Sequence, residues 1–253
     1  MPVSASVEIL EMRVDAVEPP EAVRRIVESD GGGRVLTPNL QHLRAYRRSA
    51  AVRRAFADCE LVVADGMPLI WASRLQGTPL PARVAGSDLI WPLSAAAAES
   101  GRSLFLLGGD PGTAEAAEQE LARRYPGLRV AGTHCPPHGF ERSAAGLAEI
   151  DTAIAAATPD LVYIGLPLEK QLLLMARLRP TVPNSWLIGL GGSFSMISGD
   201  VRRAPTWAQR GGLEWAFRLG QEPRRLGRRY LVEGLPFFVG LIAQSAGRRL
   251  TDD

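Results

Sequence analysis

The chain has 253 residues, 46% of them apolar and 22% charged, with a formal net charge of +2. That length suits one large α/β domain or two small ones, and that apolar content excludes whole-chain disorder. Two cysteines, Cys59 and Cys135, exclude a disulfide scaffold, and the small net charge gives no chain-wide reason to expect nucleic acid.

In chain order, short β-rich runs alternate with Ala-rich amphipathic stretches. The first twenty residues carry acids where a secretory signal needs an apolar core. Strands are predicted over Val7–Met12, Arg34–Thr37, Leu61–Ala64, Ser103–Leu107, Leu128–Ala131, Leu161–Ile164 and Trp186–Leu190. Helices are predicted over Glu21–Ser29, Leu40–Ala57, Pro68–Gln76, Ser87–Glu99, Thr113–Arg124, Ser143–Ala157 and Glu169–Leu178. This alternation predicts an α/β fold over residues 1–200: a Rossmann-like, mostly parallel sheet with helices on both faces. The runs LFLLG, LVYIG and WLIGL are continuously apolar, as strands buried on both sides require. After Gly199 no further strand is evident. Residues 201–253 read as an Arg-rich helical C-terminal appendage. No run of about 18 apolar residues occurs, so no bilayer-spanning helix is expected. The expectation is an intracellular protein, soluble or held at a membrane surface.

In open α/β sheets, ligands bind beyond the carboxyl ends of the strands. Those ends carry Thr37-Pro38-Asn39, Asp65-Gly66, Gly108–Gly112, Gly165-Leu166-Pro167 with Lys170-Gln171, and Gly191-Gly192-Ser193. Glycines and short polar groups in these places suit a ligand cleft. Gly108-Gly109 could offer backbone N–H groups to a phosphate at a helix N-terminus. The alternative is a tight turn with Asp110 as N-cap and Pro111 as first helical residue. Asp65 would face the cleft with a raised pKa and act as general base, or else cap the next helix. Asp88 is a cap or a cleft group, with Arg83 and Gly86 just before it.

The stretch Gly189–Phe194 lacks the third small residue of a dinucleotide fingerprint, and no P-loop motif occurs. His134-Cys135-Pro136-Pro137-His138 has no second cluster to complete a zinc site and reads as a loop. No Asp-x-Asp pair is present to bind a metal-chelated sugar nucleotide. Between Arg202 and Arg229 stand eight Arg against Glu214 and Glu222, a local charge of +6. Arg225 and Arg228 share a helix face and Arg218 precedes them. Converging arginines suit a diphosphate, while a solvated or lipid-facing basic surface is the alternative.

The chain resembles the WecG/TagA/CpsF family of bacterial glycosyltransferases. The matching stretches are Thr37-Pro38-Asn39, Ala64-Asp65-Gly66-Met67, Arg83–Leu89, Phe105–Gly109, Tyr125–Leu128 and His138-Gly139-Phe140. They continue with Arg202–Pro205, Gly212–Trp215, Arg218-Leu219 and Glu222–Tyr230. The resemblance implies metal-independent, inverting transfer of a sugar from a UDP-sugar to a polyprenyl-diphosphate-linked acceptor at the inner face of the cell membrane. N-acetylmannosamine or a related hexose or uronic acid is the implied sugar, and no cofactor is implied. Asp65 matches the family's base. Thr37, Asn39, Gly66, Arg83, Gly86, Asp88, Gly108, Gly109, Gln171 and Gly191 match its donor site. Arg218, Arg225 and Arg228 match a clamp on the diphosphate.

One loop departs from the family pattern Gly-Leu-Gly-x-Pro-Lys-Gln-Glu. Here Pro167, Glu169 and Leu172 replace the second Gly, the Pro and the final Glu. The tail Tyr230–Ala246 is apolar between basic flanks, is too short to span, and suits a helix lying on an anionic membrane surface. A buried helix or an oligomer contact is the alternative. Two rival functions stay open from residues alone: a nucleotide-dependent oxidoreductase and a non-catalytic membrane scaffold.

Overall fold

The computed structural model describes residues 5–252, apart from the side chains of Thr206, Arg210, Arg225, Leu250, Thr251 and Asp252. The chain opens with a hairpin where a single strand was expected. Strands β1 (Ser6–Ile9) and β2 (Met12–Asp15) pair antiparallel. Leu10 and Glu11 form the turn with φ of +48° and +68°. Both residues are left-handed, the conformation that matches the twist of hairpin strands. Neither Gly nor Asn marks the turn. Val7, Ile9, Met12 and Val14 all enter the core, so the apolar alternation runs almost unbroken through it.

The body then alternates helix and strand: α1 (Pro19–Val27), β3 (Gly33–Leu36), α2 (Leu40–Arg48), α3 (Ala50–Ala57), β4 (Leu61–Val62), α4 (Met67–Leu75), α5 (Gly86–Ser100), β5 (Ser103–Gly108) and α6 (Thr113–Arg124). It continues through β6 (Arg129–His134), α7 (Ala144–Ala157), β7 (Leu161–Gly165), α8 (Leu168–Leu178), β8 (Trp186–Gly189) and α9 (Ser193–Ile197). The single helix expected over Leu40–Ala57 is broken at Ser49. There the backbone is extended and the Ser49 side chain accepts the Val52 N–H at 3.3 Å, capping α3. A serine hydroxyl competes well for such a donor, so the chain restarts a helix at a new angle.

Six strands form one parallel sheet in the order β4-β3-β8-β7-β5-β6. Alternate residues leave on opposite faces. Phe105, Leu107, Val162 and Ile164 join the core layer beneath α3, α7 and α8. Leu104, Leu106, Leu161 and Tyr163 join the layer beneath α1, α5 and α6. From β5 the chain leaves toward β6; from neighbouring β7 it leaves the other way, toward β8. A crevice therefore opens at the C-terminal ends of β5 and β7, between Gly108 and Gly165.

The C-terminal segment is helical, as expected: α10 (Thr206–Arg210), α11 (Glu214–Gln221), α12 (Pro223–Gly227) and α13 (Leu235–Asp252). A π-helical stretch, Arg228–Gly234, joins the last two into one long helix. Gly234, Leu241 and Ser245 are buried. They mark the inner stripe of the helix, which packs on α4, with Phe238 edge-on to Trp71 at 5.9 Å. Leu231, Val232, Leu235 and Val239 are exposed on the other side. The helix is longer than the sequence suggested. Arg228–Arg249 spans 22 residues at mean hydropathy 1.2, enough by length and composition to cross a membrane. The flanking arginines belong to the same helix, which is why the apolar segment alone looked too short.

Candidate active site

The strand ends and the appendage together enclose a cavity of ≈ 1510 Å³. It is lined by Thr37, Asn39, Asp65, Gly66, Arg83, Gly109, Gln171, Gly191 and Arg218 among the residues singled out above. Two walls come from the C-terminal ends of the strands and the segments that follow them. The third is α11 and the start of the long C-terminal helix.

Asp65 sits just beyond β4, its backbone N–H donating to the Pro38 carbonyl at 2.9 Å. Its carboxyl pKa is pushed up to about 8, first by burial, then by the nearby carboxylates Glu214 and Asp88; Arg83 and the Gly86 backbone oppose the shift. A carboxyl that titrates near neutral pH can accept a proton within the working range of an enzyme. It is not the helix cap of the alternative reading, because Gly66 holds the N-cap position of α4 with no side-chain cap. Arg83 is fixed from two sides, donating to Asp88 at 2.9 Å and to Glu214 at 3.0 Å. Arg203 also donates to Asp88. Asp88 does not line the cavity; it holds two arginines in place, and Glu214 ties the appendage to the body.

Thr37 is buried, and its hydroxyl donates to the Gly189 carbonyl at 3.1 Å. Asn39 lines the cleft while its side chain caps α2, accepting from Gln41 and His42 N–H groups. Gly86 begins α5 against Thr37 and Leu190, where an added Cβ would lie 3.2 Å from the Thr37 hydroxyl. Its role is close approach of the helix, since it does not line the cavity. Gly108 likewise serves the backbone, with φ of +102° and Leu166 where a side chain would go. Gly109 lines the cavity, but its N–H already donates to the Gly165 carbonyl at 2.8 Å and is not free for a phosphate. The expected Asp110 cap also differs: Gly112 is the N-cap of α6, and the Asp110 carbonyl accepts from Thr113.

Gln171 is buried and donates to the Leu166 carbonyl at 2.6 Å, bracing the loop after β7. An added Cβ on Gly189 would lie 2.2 Å from its Oε1, so the two positions depend on each other. The departures in this loop are accommodated. Pro167 sits as N-cap of α8 at φ −59°, which proline adopts without strain. Leu172 packs against the core. Lys170 pairs with Glu141 at 3.1 Å above the Phe140 ring.

The three arginines of the expected clamp have different positions. Arg218 lines the cavity, its Nη2 3.9 Å from where a Cβ on Gly192 would lie. Its Nε is buried with no hydrogen-bond partner, leaving a donor for an incoming acceptor atom. Arg228 is 85% exposed beside Glu233 and does not line the cavity. It stands where the π-helical stretch begins. The side chain of Arg225 lies outside the described residues.

Several lining residues escaped the sequence. His42 has its pKa lowered to about 4, by burial first and then by Arg229, and its Nδ1 has no partner. Trp71, Trp215, Tyr230 and Phe238 give the cavity an aromatic side. Trp215 and Tyr230 fall in stretches that match the family, but for Trp71 and Phe238 the available signal was helical spacing, which buried core residues share. The His134–His138 loop rims the cleft, and no group of three or more His, Cys, Asp or Glu side chains fit to hold a metal occurs among the described residues.

Residues 7–251 match the glycosyl transferase WecG/TagA/CpsF family along nearly the whole chain. The chain belongs to this family. Similar curated proteins include N-acetylglucosaminyldiphosphoundecaprenol N-acetyl-beta-D-mannosaminyltransferases of two bacilli. That of Bacillus spizizenii (strain ATCC 23059 / NRRL B-14472 / W23) is 29% identical over 202 residues, covering 80% of this chain and 76% of the relative. That of Bacillus subtilis (strain 168) is 32% identical over 167 residues, covering 66% of this chain and 63% of the relative. The family assignment favours a glycosyltransferase cleft over an oxidoreductase one.

Proposed function

We propose that this chain catalyses inverting transfer of an N-acetylmannosamine-type sugar from a UDP-sugar to a polyprenyl-diphosphate-linked acceptor, without a metal ion, at the cytosolic membrane surface. The observation that carries the reading is the pairing of two groups across one cleft. Asp65 has a pKa near the working pH. Arg218 lines the same cleft, with its Nη2 beside Gly192 and its Nε without a hydrogen-bond partner. The acceptor hydroxyl loses its proton to Asp65 and its oxygen bonds to the anomeric carbon. The bond from that carbon to the phosphate oxygen breaks, and UDP departs with the electron pair. Arg218 stabilises the charge that develops on the diphosphate, a task a metal performs in many transferases. UDP-hexoses are α-linked, so inversion yields a β-glycoside. The relatives' names, which specify a β-D-mannosaminyl transfer, support this outcome.

The test is transfer of labelled sugar from UDP-N-acetylmannosamine to a synthetic N-acetylglucosaminyl-diphospho-lipid in excess EDTA. A β-linked product is expected, with Asp65→Asn slowed by about 10²- to 10⁴-fold, the usual range for a lost general base. Near-full turnover by folded Asp65→Asn refutes the base. Abolition by EDTA refutes metal independence.

A further inference from the structure

The reaction above needs two diphosphates, one on the donor and one on the acceptor lipid, and Arg218 answers only to the first. A second basic group lines the cavity elsewhere. Arg44 and Arg48 stand one turn apart on the same face of α2, and Arg229 faces them from the C-terminal helix. Gln41 ties the two elements by donating to the Arg229 carbonyl at 2.9 Å. The single carboxylate among them is Glu233, which accepts from Arg44 at 2.6 Å. Three guanidinium groups against one carboxylate leave this corner net positive. His42, beside Arg229, is neutral with an unpartnered Nδ1 and adds no charge of its own.

An apolar groove of ≈ 680 Å³ begins where this corner ends. It runs between α4 and α13 and is lined by Trp71, Leu75, Phe238, Val239 and Ile242, with Arg74 and Ala243. Trp71 and Phe238 line both the cavity and the groove, so the two adjoin at this aromatic pair. The order along α4 is informative. Asp65 precedes the helix, and Trp71 and Leu75 stand one turn apart within it, about 6 Å at helical rise. Along the partner helix, Arg229 and Glu233 precede Phe238 and Ile242. The carboxylate and the cationic corner thus share one cavity, and the apolar groove adjoins it.

We propose that this corner and groove form the acceptor arm: Arg44, Arg48 and Arg229 bind the diphosphate of a prenyl-diphosphate sugar, and the α4/α13 groove takes its first isoprene units. The inference rests on the proposed transferase reading for its biological substrate, but the binding site stands on its own geometry. Charge complementarity commits the corner to a diphosphate, and the apolar groove adjoining the cavity at Trp71 and Phe238 commits that diphosphate to one bearing a hydrocarbon chain. In this arrangement the sugar beyond the diphosphate is delivered to Asp65.

The probe is farnesyl diphosphate, titrated into the full chain by calorimetry, with UDP titrated separately. Wild type is expected to bind farnesyl diphosphate more tightly than inorganic diphosphate. Arg44→Ala combined with Arg229→Ala should weaken farnesyl diphosphate at least about tenfold while leaving UDP affinity within about twofold, as loss of charge-assisted bonds to one ligand implies. Leu75→Gln, at a partly exposed position that folding tolerates, should erase the preference for the farnesyl chain. Weakening by Arg218→Ala but not by the double variant would place the probe in the donor site and overturn the proposal. So would absence of binding to wild type, or indifference to Leu75→Gln. A chain that binds farnesyl diphosphate as described yet transfers no sugar would overturn the proposed function and leave this arm standing.

Discussion

Asp65→Asn should inactivate the protein and stabilise it at the same time. The unfolded carboxyl titrates at 3.8 and the folded one at about 8. Between those values the unfolded chain has released its proton and the native chain has kept it. Stability then falls as pH rises, by at most about 1.4 kcal/mol per pH unit. The loss begins near pH 4, is complete near pH 8 and is flat beyond. A fully desolvated group would lose about 6 kcal/mol over that window. Asp65 faces an open cleft and retains some solvent, so about half of that, roughly 3 kcal/mol, is expected. Asparagine keeps the shape without the charge and escapes the loss. For a chain of this size, 3 kcal/mol corresponds to roughly 6–12 °C in Tm. The assay is thermal unfolding of both proteins from pH 4 to pH 9. The two curves should coincide at pH 4 and separate until pH 8. A gap that does not vary with pH, or an Asp65→Asn variant that is less stable than wild type at pH 8, refutes burial of an ionisable carboxyl at this position.

Arg218→Ala should weaken UDP binding by at least about tenfold, whereas Arg228→Ala should change it less than twofold, because only the first faces the cavity; equilibrium titration with UDP distinguishes them. Glu214→Ala removes the Arg83 contact that ties the appendage to the body at 3.0 Å. It should cost about 1–3 kcal/mol locally and speed limited proteolysis within residues 201–253, leaving the sheet intact. Gly109→Ala places a Cβ 2.3 Å from the Thr113 hydroxyl at a φ of +83°. A loss of about 1–3 kcal/mol in chemical denaturation is expected, and an unchanged midpoint would show that the turn can relax.

Much of this architecture was legible in the residues because the signals were local and repetitive. The runs at Leu104–Leu107, Leu161–Ile164 and Leu187–Ile188 announce strands buried on both faces, and α/β alternation then allows few topologies. Strand ends carrying Thr37, Asp65 and Gly191 follow from the same rule, since ligand sites form there in any open parallel sheet. A strand over Val7–Met12 was legible as well, but neither the turn inside it nor the second strand, Met12–Asp15. Leu10 and Glu11 hold left-handed conformations that their own chemistry does not ask for, and the hairpin's packing compels them.

What tertiary structure alone decided is which of these groups meet. The pKa of Asp65 depends on Glu214, 149 residues away in the chain, and on burial that no local pattern reports. Helical spacing alone suggested Arg228 for the cleft, but in the folded chain it is exposed to solvent beside Glu233. Arg44 and Arg229 come from opposite ends of the chain, and only the docking of the last helix on α4 makes them neighbours of one cavity. A sequence specifies local preference through each residue's own backbone and side chain. Electrostatics and cavity shape depend on distances through space, and those exist only after the chain has folded.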